Sequence, residues 1–196
     1  MSERIIKNEW TKHIEPAYNP WVGTSMENLA THNSKKSGTY YETSIAKPIL
    51  EEMGYKVSAN PNSTGPWDLK IEWVNENGEK KIKKVEVKVG RSNTNHKKKC
   101  ADNFKSVLNH IAIGKDFDIL FIVIIYLENG IAKYEERWCT KSELISNIES
   151  PNSVFSKQQG GKKANNDDWI CSGKPKIKKL LKDPLFKNID TLKSVL

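Results

Sequence analysis

Hydrophobic positions along the chain follow two periods and one unbroken run. Between Leu69 and Val89 they alternate with polar ones: Leu69, Ile71 and Trp73 against Asp68, Lys70 and Glu72, then Val85, Val87 and Val89 against Glu86 and Lys88. That period predicts two strands, each with two unlike faces. From Thr39 to Met53 the period lengthens, with Tyr41, Ile45, Ile49 and Met53 four apart and Gly54 as terminator, which predicts a helix. Pro48 lies inside it, so the helix is kinked there or restarts with the proline near its first turn. Tyr55-Lys56-Val57 opens a short strand. A second helix is expected after Lys97-Lys98-Lys99, from Cys100, Phe104, Val107, Leu108 and Ile111 at helical spacing with Gly114 at the end. His110 sits beside that stripe and is expected to pack. Phe117 to Tyr126 has no alternation, is rich in β-branched residues, and reads as a strand buried on both faces. Ile131 to Cys139 returns as a more polar strand, and Thr140 with Glu143 three residues on forms a capping-box pattern starting a helix over Lys141 to Ile148. Residues 1 to about 37 read as irregular or short helical structure. Lys174 to Lys193 reads as an amphipathic helix with a strongly basic polar face.

The two alternating segments are joined by Asn75-Glu76-Asn77-Gly78, a hairpin turn. A three-residue loop, Glu76-Asn77-Gly78 with a left-handed glycine, pairs Asn75 with Glu79 and sets Asp68 opposite Glu86. A two-residue Asn77-Gly78 turn moves the pairing by one place. Ile82, out of phase with the valines, hints at a bulge. In either register Lys88 lies on the side of Glu86.

Composition narrows the partner. The 196 residues fit one domain with a proper core, and the net charge of +8 favours a polyanion, of which nucleic acid is the commonest. Cys100, Cys139 and Cys171 are odd in number and lack CxxC spacing, so neither a disulfide framework nor a zinc site is expected, and a reducing, cytoplasmic compartment is. Met1-Ser2-Glu3-Arg4 opens no signal peptide, and the apolar run Ile119 to Leu127 is too short to span a bilayer, so no membrane partner is expected.

Charge also points to chemistry. Two carboxylates forced together, Asp68 and Glu86, are unfavourable unless a cation or a shared proton compensates. Oxygen ligands with an open face suit Mg²⁺, which keeps waters and binds phosphate oxygens, and Lys88 beside them can orient or deprotonate an attacking water or stabilise charge on a phosphate. That trio suits phosphodiester hydrolysis. The plain alternative is a half-exposed strand with Glu86 and Lys88 facing water.

At Pro66-x-Asp68 and Glu86-Val87-Lys88 the chain resembles the PD-(D/E)xK nuclease superfamily, with Trp67 separating the proline from the aspartate. The resemblance covers about residues 38–139. It implies an α/β fold, a mixed central sheet flanked by helices with an αβββαβ core, and a Mg²⁺ site made by Asp68, Glu86 and the Val87 carbonyl. It also implies that Lys88 positions or activates water, and that an acidic residue of the first helix assists. Glu42 is the candidate for that last role; otherwise it is a solvated helix-edge residue. In-line attack would leave a 5′-phosphate and a 3′-hydroxyl.

Around this core lie candidate DNA contacts. Gly90 to His96, carrying Arg91, Asn93 and Asn95, follows the catalytic strand and either reaches the scissile phosphate or a base edge or is a plain loop. Lys97 and Lys98 disfavour a helix start and suit phosphate contact, or are merely solvated. Lys157, Gln158, Gln159, Lys162, Lys163, Asn165 and Asn166 form a polar segment suited to reading bases, unless it is simple surface or disorder, with Trp169-Ile170-Cys171 anchoring it to the body. The resulting expectation is a single nuclease domain over 1–196, with a DNA-contacting extension at about 150–196. It acts as a type II restriction endonuclease on double-stranded DNA, homodimeric by resemblance, with Mg²⁺ and no nucleotide cofactor. The rivals are a structure-selective nuclease, such as a junction resolvase or repair nickase, and a non-catalytic basic nucleic-acid-binding protein.

Overall fold

The computed structural model describes residues 34–62, 64–92, 106–128, 131–157 and 168–194. The expectations for residues 1–33, and for Asn93, Asn95, Lys97, Lys98, Gln158, Gln159, Lys162, Lys163, Asn165 and Asn166, lie outside that set.

The first described element is a helix, α1, which is α-helical over Ser34–Tyr41, π-helical over Glu42–Ala46 and α-helical again over Lys47–Glu52. The Lys47 N–H reaches back five residues to the Glu42 carbonyl, and Pro48, which has no N–H to give, falls in the first turn of the last stretch. The wide turn shifts the buried stripe. Tyr41, Ala46 and Leu50 are fully buried, whereas Ile45, Ile49 and Met53 pack only at its margin. Gly54, at φ +96°, ends the helix in the left-handed region.

Nine strands among the described residues form one mixed sheet, mostly antiparallel: β1 (Lys56–Ala59), β2 (Leu69–Val74), β3 (Lys80–Ser92), β4 (Ser106–Ala112), β5 (Ile119–Glu128), β6 (Ile131–Thr140), β7 (Ser156–Lys157), β8 (Asp168–Ser172) and β9 (Lys187–Asn188). The order is β7-β8-β4-β3-β5-β6-β9, with β1 and β2 joining at β3. The long strand β3 runs parallel to β5 along one edge, from Val85 opposite Ile119 to Arg91 opposite Ile125. Its other edge is shared: β2 pairs with Lys80 to Val85, and β4 with Arg91 and Ser92. Between these partners, Glu86 to Gly90 have no strand beside them on that edge, so the sheet forks there. Asp118 fastens the parallel pair at its entry, its N–H donating to the Lys84 carbonyl at 2.9 Å and its carboxylate accepting the Lys84 N–H at 2.8 Å.

β5 is the predicted doubly buried strand, with Ile119 to Ile125 all 2% exposed or less. Its odd-numbered side chains pack with α1 and with a 3-10 turn, Ile189–Ser194; its even-numbered ones pack with α2 (Lys141–Glu149) and α3 (Lys174–Lys182). The expected α/β architecture, a sheet with helices on both faces, is therefore the one observed. The capping box at Thr140 is present in both directions, the Glu143 N–H donating to Thr140 Oγ1 at 3.2 Å and the Thr140 N–H to Glu143 Oε2 at 2.8 Å. Cys139 and Cys171 are free and buried. No helix of the described residues is long and apolar enough to cross a membrane.

Three local expectations are corrected. Ser106 to Ala112 is strand β4 and not the end of a second helix: its register against β8 shifts between Leu108 and Ile111, and His110 takes φ +51°. The bulge turns two residues three apart to one side, so Leu108 and Ile111 are both buried and imitate helical spacing. His110 is consequently exposed, not packed. No bulge occurs at Ile82, which pairs with Glu72 in a regular ladder and lies 48% exposed. The basic helix α3 ends at Lys182, because Asp183-Pro184 cannot continue it, and the chain goes on through β9 to the 3-10 turn.

The joint between β5 and α1 rests on Phe121, which meets the Tyr41 ring edge-on at 5.8 Å between centroids. Phe121→Ala should lower stability by about 3–5 kcal/mol in chemical denaturation, the usual cost of a cavity left by a buried aromatic ring. A loss under ~1 kcal/mol would show that this joint does not hold the helix.

Candidate active site

The hairpin adopts the three-residue loop. Gly78 lies at φ +78° and donates its N–H to the Asn75 carbonyl at 2.9 Å, while the Asn75 N–H donates to the Glu79 carbonyl at 3.0 Å. The register follows: Val74 faces Lys80 and Leu69 faces Val85, so Asp68 stands one place before the ladder begins, at the fork.

The loop before β2 aims Asp68. Asn60 donates its side-chain amide to the Trp67 carbonyl and its N–H to the Asp68 carbonyl, each at 2.9 Å. Gly65 lets this loop close, since a Cβ there would come within 2.1 Å of the Asn60 side-chain nitrogen. The Asp68 N–H then donates to the Val85 carbonyl at 2.9 Å, and Asp68 Oδ2 accepts the Val87 N–H at 2.7 Å. A carboxylate therefore takes an amide of β3 that no neighbouring strand uses.

Glu86, on the same edge, is 1% exposed. A carboxylate buried that deeply requires compensation, and two ammonium groups supply it at Oε1: Lys88 Nζ at 2.5 Å and Lys115 Nζ at 2.8 Å. Its other oxygen, Oε2, is buried without a hydrogen-bond partner. Glu42 comes to the group from the start of the π turn. Burial pushes its pKa up to about 7, the negative charges of Asp68 and, more weakly, Glu86 push the same way, and Lys88 and Lys115 pull it down. Asp68 is raised too, by burial first and by Glu86 second, against the Val87 hydrogen bond and the two lysines.

The fold therefore brings Glu42, Asp68, Glu86 and Lys88 into one electrostatically coupled group. The sequence missed Lys115. It comes from the β4–β5 turn, where its N–H donates to the Ala112 carbonyl at 3.1 Å and its carbonyl accepts the Lys141 ammonium at 2.6 Å. Gly114-Lys115-Asp116 matches no motif, and its nearness to Glu86 depends on how β4 leaves the fork.

Among the described residues, no three His, Cys, Asp or Glu stand together as a group able to hold a metal ion by themselves. Oε2 of Glu86, buried and without a hydrogen-bond partner, is nonetheless an oxygen that could serve as a ligand. An open set of carboxylates suits Mg²⁺, which takes one or two from the protein and fills its remaining positions with water and phosphate oxygens. Of the candidate DNA contacts, Arg91 is placed by its backbone between Val107 and Ile125. Lys157 is exposed on β7, its Nζ 5.9 Å from the centre of the Trp169 ring. Trp169 to Cys171 anchor that region as part of β8, hydrogen-bonded to β4.

No family model matches the chain, and no curated protein matches it. Among solved structures it is similar to a bacterial homing endonuclease, I-Ssp6803I, at 14% identity over 67% of this chain and 81% of that one, with a TM-score of 0.38. A likeness of that size leaves the chemistry to be read from the residues.

Because the pKa of Glu42 is raised in the fold, from 4.5 to about 7, its contribution to stability is complete below about pH 4.5 and is lost as pH rises through about 7. Glu42→Gln cannot ionise and escapes that loss. In urea titrations without divalent ions, the variant should gain on the wild type between pH 5 and pH 8, by about 1 kcal/mol once solvent screening at this partly exposed position is allowed for. A constant difference between the two proteins across that range would show that Glu42 titrates normally.

Proposed function

We propose that this chain is a Mg²⁺-dependent endonuclease that hydrolyses phosphodiester bonds of double-stranded DNA. What supports this most is the convergence of Asp68, Glu86 and Lys88 at the fork of the sheet, with one Glu86 oxygen buried and unpartnered. A purely structural ion pair would satisfy both oxygens; this one leaves Oε2 without a partner.

Asp68, Glu86 and the Val87 carbonyl are the residues that would hold Mg²⁺, with Glu42 assisting. When bound, the ion would activate water and neutralise charge on the phosphate. Glu42 must lose its proton to serve as a ligand, so its raised pKa makes ion affinity increase with pH through about 7. Lys88 holds the attacking water in line with the leaving oxygen and offers its ammonium to the negative charge that builds on the phosphate. Cleavage leaves a 5′-phosphate and a 3′-hydroxyl. The Gln- and Asn-rich stretch from Lys157 to Asn166 favours base reading, and with it a type II restriction endonuclease working as a homodimer.

Plasmid cleavage tests the proposal. Discrete fragments that require Mg²⁺ and vanish with EDTA are expected; cutting confined to branched or mismatched DNA would replace sequence specificity with structure selectivity, and binding without cutting would leave a non-catalytic DNA-binding protein. Glu86→Ala and Lys88→Ala should abolish cutting while DNA affinity stays within about tenfold, a change of ~1.4 kcal/mol. Cutting that survives both substitutions would remove this mechanism.

A further inference from the structure

We infer that Lys115, on the turn between β4 and β5, is a positioning residue of this site that limits it to one divalent ion, by holding a second ammonium group on Glu86 beside that of Lys88. The inference rests on the metal-dependent reading above and adds a residue that neither the motif nor its spacing contains.

Three observations carry it. First, the Lys115 ammonium lies 2.8 Å from Glu86 Oε1, the same oxygen that Lys88 contacts at 2.5 Å, so both cations gather on one side of the carboxylate and Oε2 is left unpartnered. Oε1, carrying two charge-assisted hydrogen bonds, has little left to give a metal; Oε2 has all of it. Second, Lys115 is held in place. Its carbonyl accepts the Lys141 ammonium at 2.6 Å and the Phe117 N–H at 3.2 Å, and Lys141 lies over the Phe117 ring at 5.1 Å. These contacts fix the main chain from which the ammonium group reaches Glu86. Third, two divalent ions share a carboxylate through both of its oxygens, and the two ammonium groups leave Glu86 only Oε2 to offer. Without Lys115, Oε1 would keep the single partner Lys88 and regain room for a second ion or a firmer hold on the first.

Calorimetric titration of the full-length protein with Mn²⁺ at pH 7.5, without DNA, tests this. The wild type should bind one ion. Lys115→Gln should bind Mn²⁺ about tenfold tighter or take up a second ion, Lys115→Arg should return to wild-type behaviour, and Lys84→Gln, which removes a lysine paired with Asp116 instead of Glu86, should change nothing. Thermal unfolding of each variant checks that it is folded, and Lys115→Met, which also removes the ammonium group, keeps the test valid if the glutamine variant is not: tighter binding or a second ion in it supports the inference, and wild-type affinity and stoichiometry overturn it. Wild-type affinity and stoichiometry in folded Lys115→Gln overturn the role of Lys115 and leave the nuclease reading standing. A wild type that binds no divalent ion at all overturns both.

Discussion

The structure depends on keeping one carboxylate, that of Glu86, out of water. An isolated ionised side chain in that position would cost several kcal/mol, and the fold meets the cost from two directions. Lys88, two residues along the same strand, is supplied by the period of β3; Lys115 is supplied by a turn 29 residues further on. The fork makes both possible. Where β2 leaves β3 and β4 has not yet joined it, backbone groups and side chains that a closed sheet would cover face a common space. Asp68 then takes the vacant amide of Val87, and Glu42 reaches the same space from the helix beneath.

How much of this was legible depended on whether a signal was local. Asn75-Glu76-Asn77-Gly78 contains its own geometry: Asn75 Oδ1 accepts the N–H groups of Asn77 and Glu79, the glycine takes the left-handed conformation, and the register of the whole hairpin follows. The doubly buried β5 and the capping box at Thr140 were equally self-contained. Failures came where the backbone inserted a residue. The bulge in β4 puts Leu108 and Ile111 on one side of a strand, so that the end of the apolar series from Cys100 to Ile111 imitates a helix. The π turn in α1 moved the buried stripe from Ile45 and Ile49 to Ala46 and Leu50. Lys115 carried no periodicity at all, because its position is a property of the turn and of the lysine behind it.

The surplus positive charge is distributed unevenly. Around the hairpin, Lys70 and Lys80 share Glu72, Lys81 meets Glu79, Lys83 meets Asp118 and Lys84 meets Asp116, so four neighbouring carboxylates offset most of the charge of these five lysines. Such exposed pairs add little stability, but they make the ribbon a poor magnet for a polyanion. On α3 the partners differ. Lys179 donates to the Asn152 carbonyl and Lys176 to the Ser156 hydroxyl, neutral oxygens that order the side chains without cancelling their charge. A phosphate backbone would be drawn to that face.

The π turn in α1 is an extra residue spliced into an otherwise continuous helix. Its widened turn takes up that residue where it stands, so Tyr41 and Ala46, five apart, and Leu50, four further on, still share one face. Deleting one position between Glu42 and Ala46 would restore ordinary α winding with the same three side chains four apart, and the helix would keep its seat on the sheet. A single-codon insertion is thus silent for the packing on either side of it, and its effect is confined to the one loosened turn that begins at Glu42.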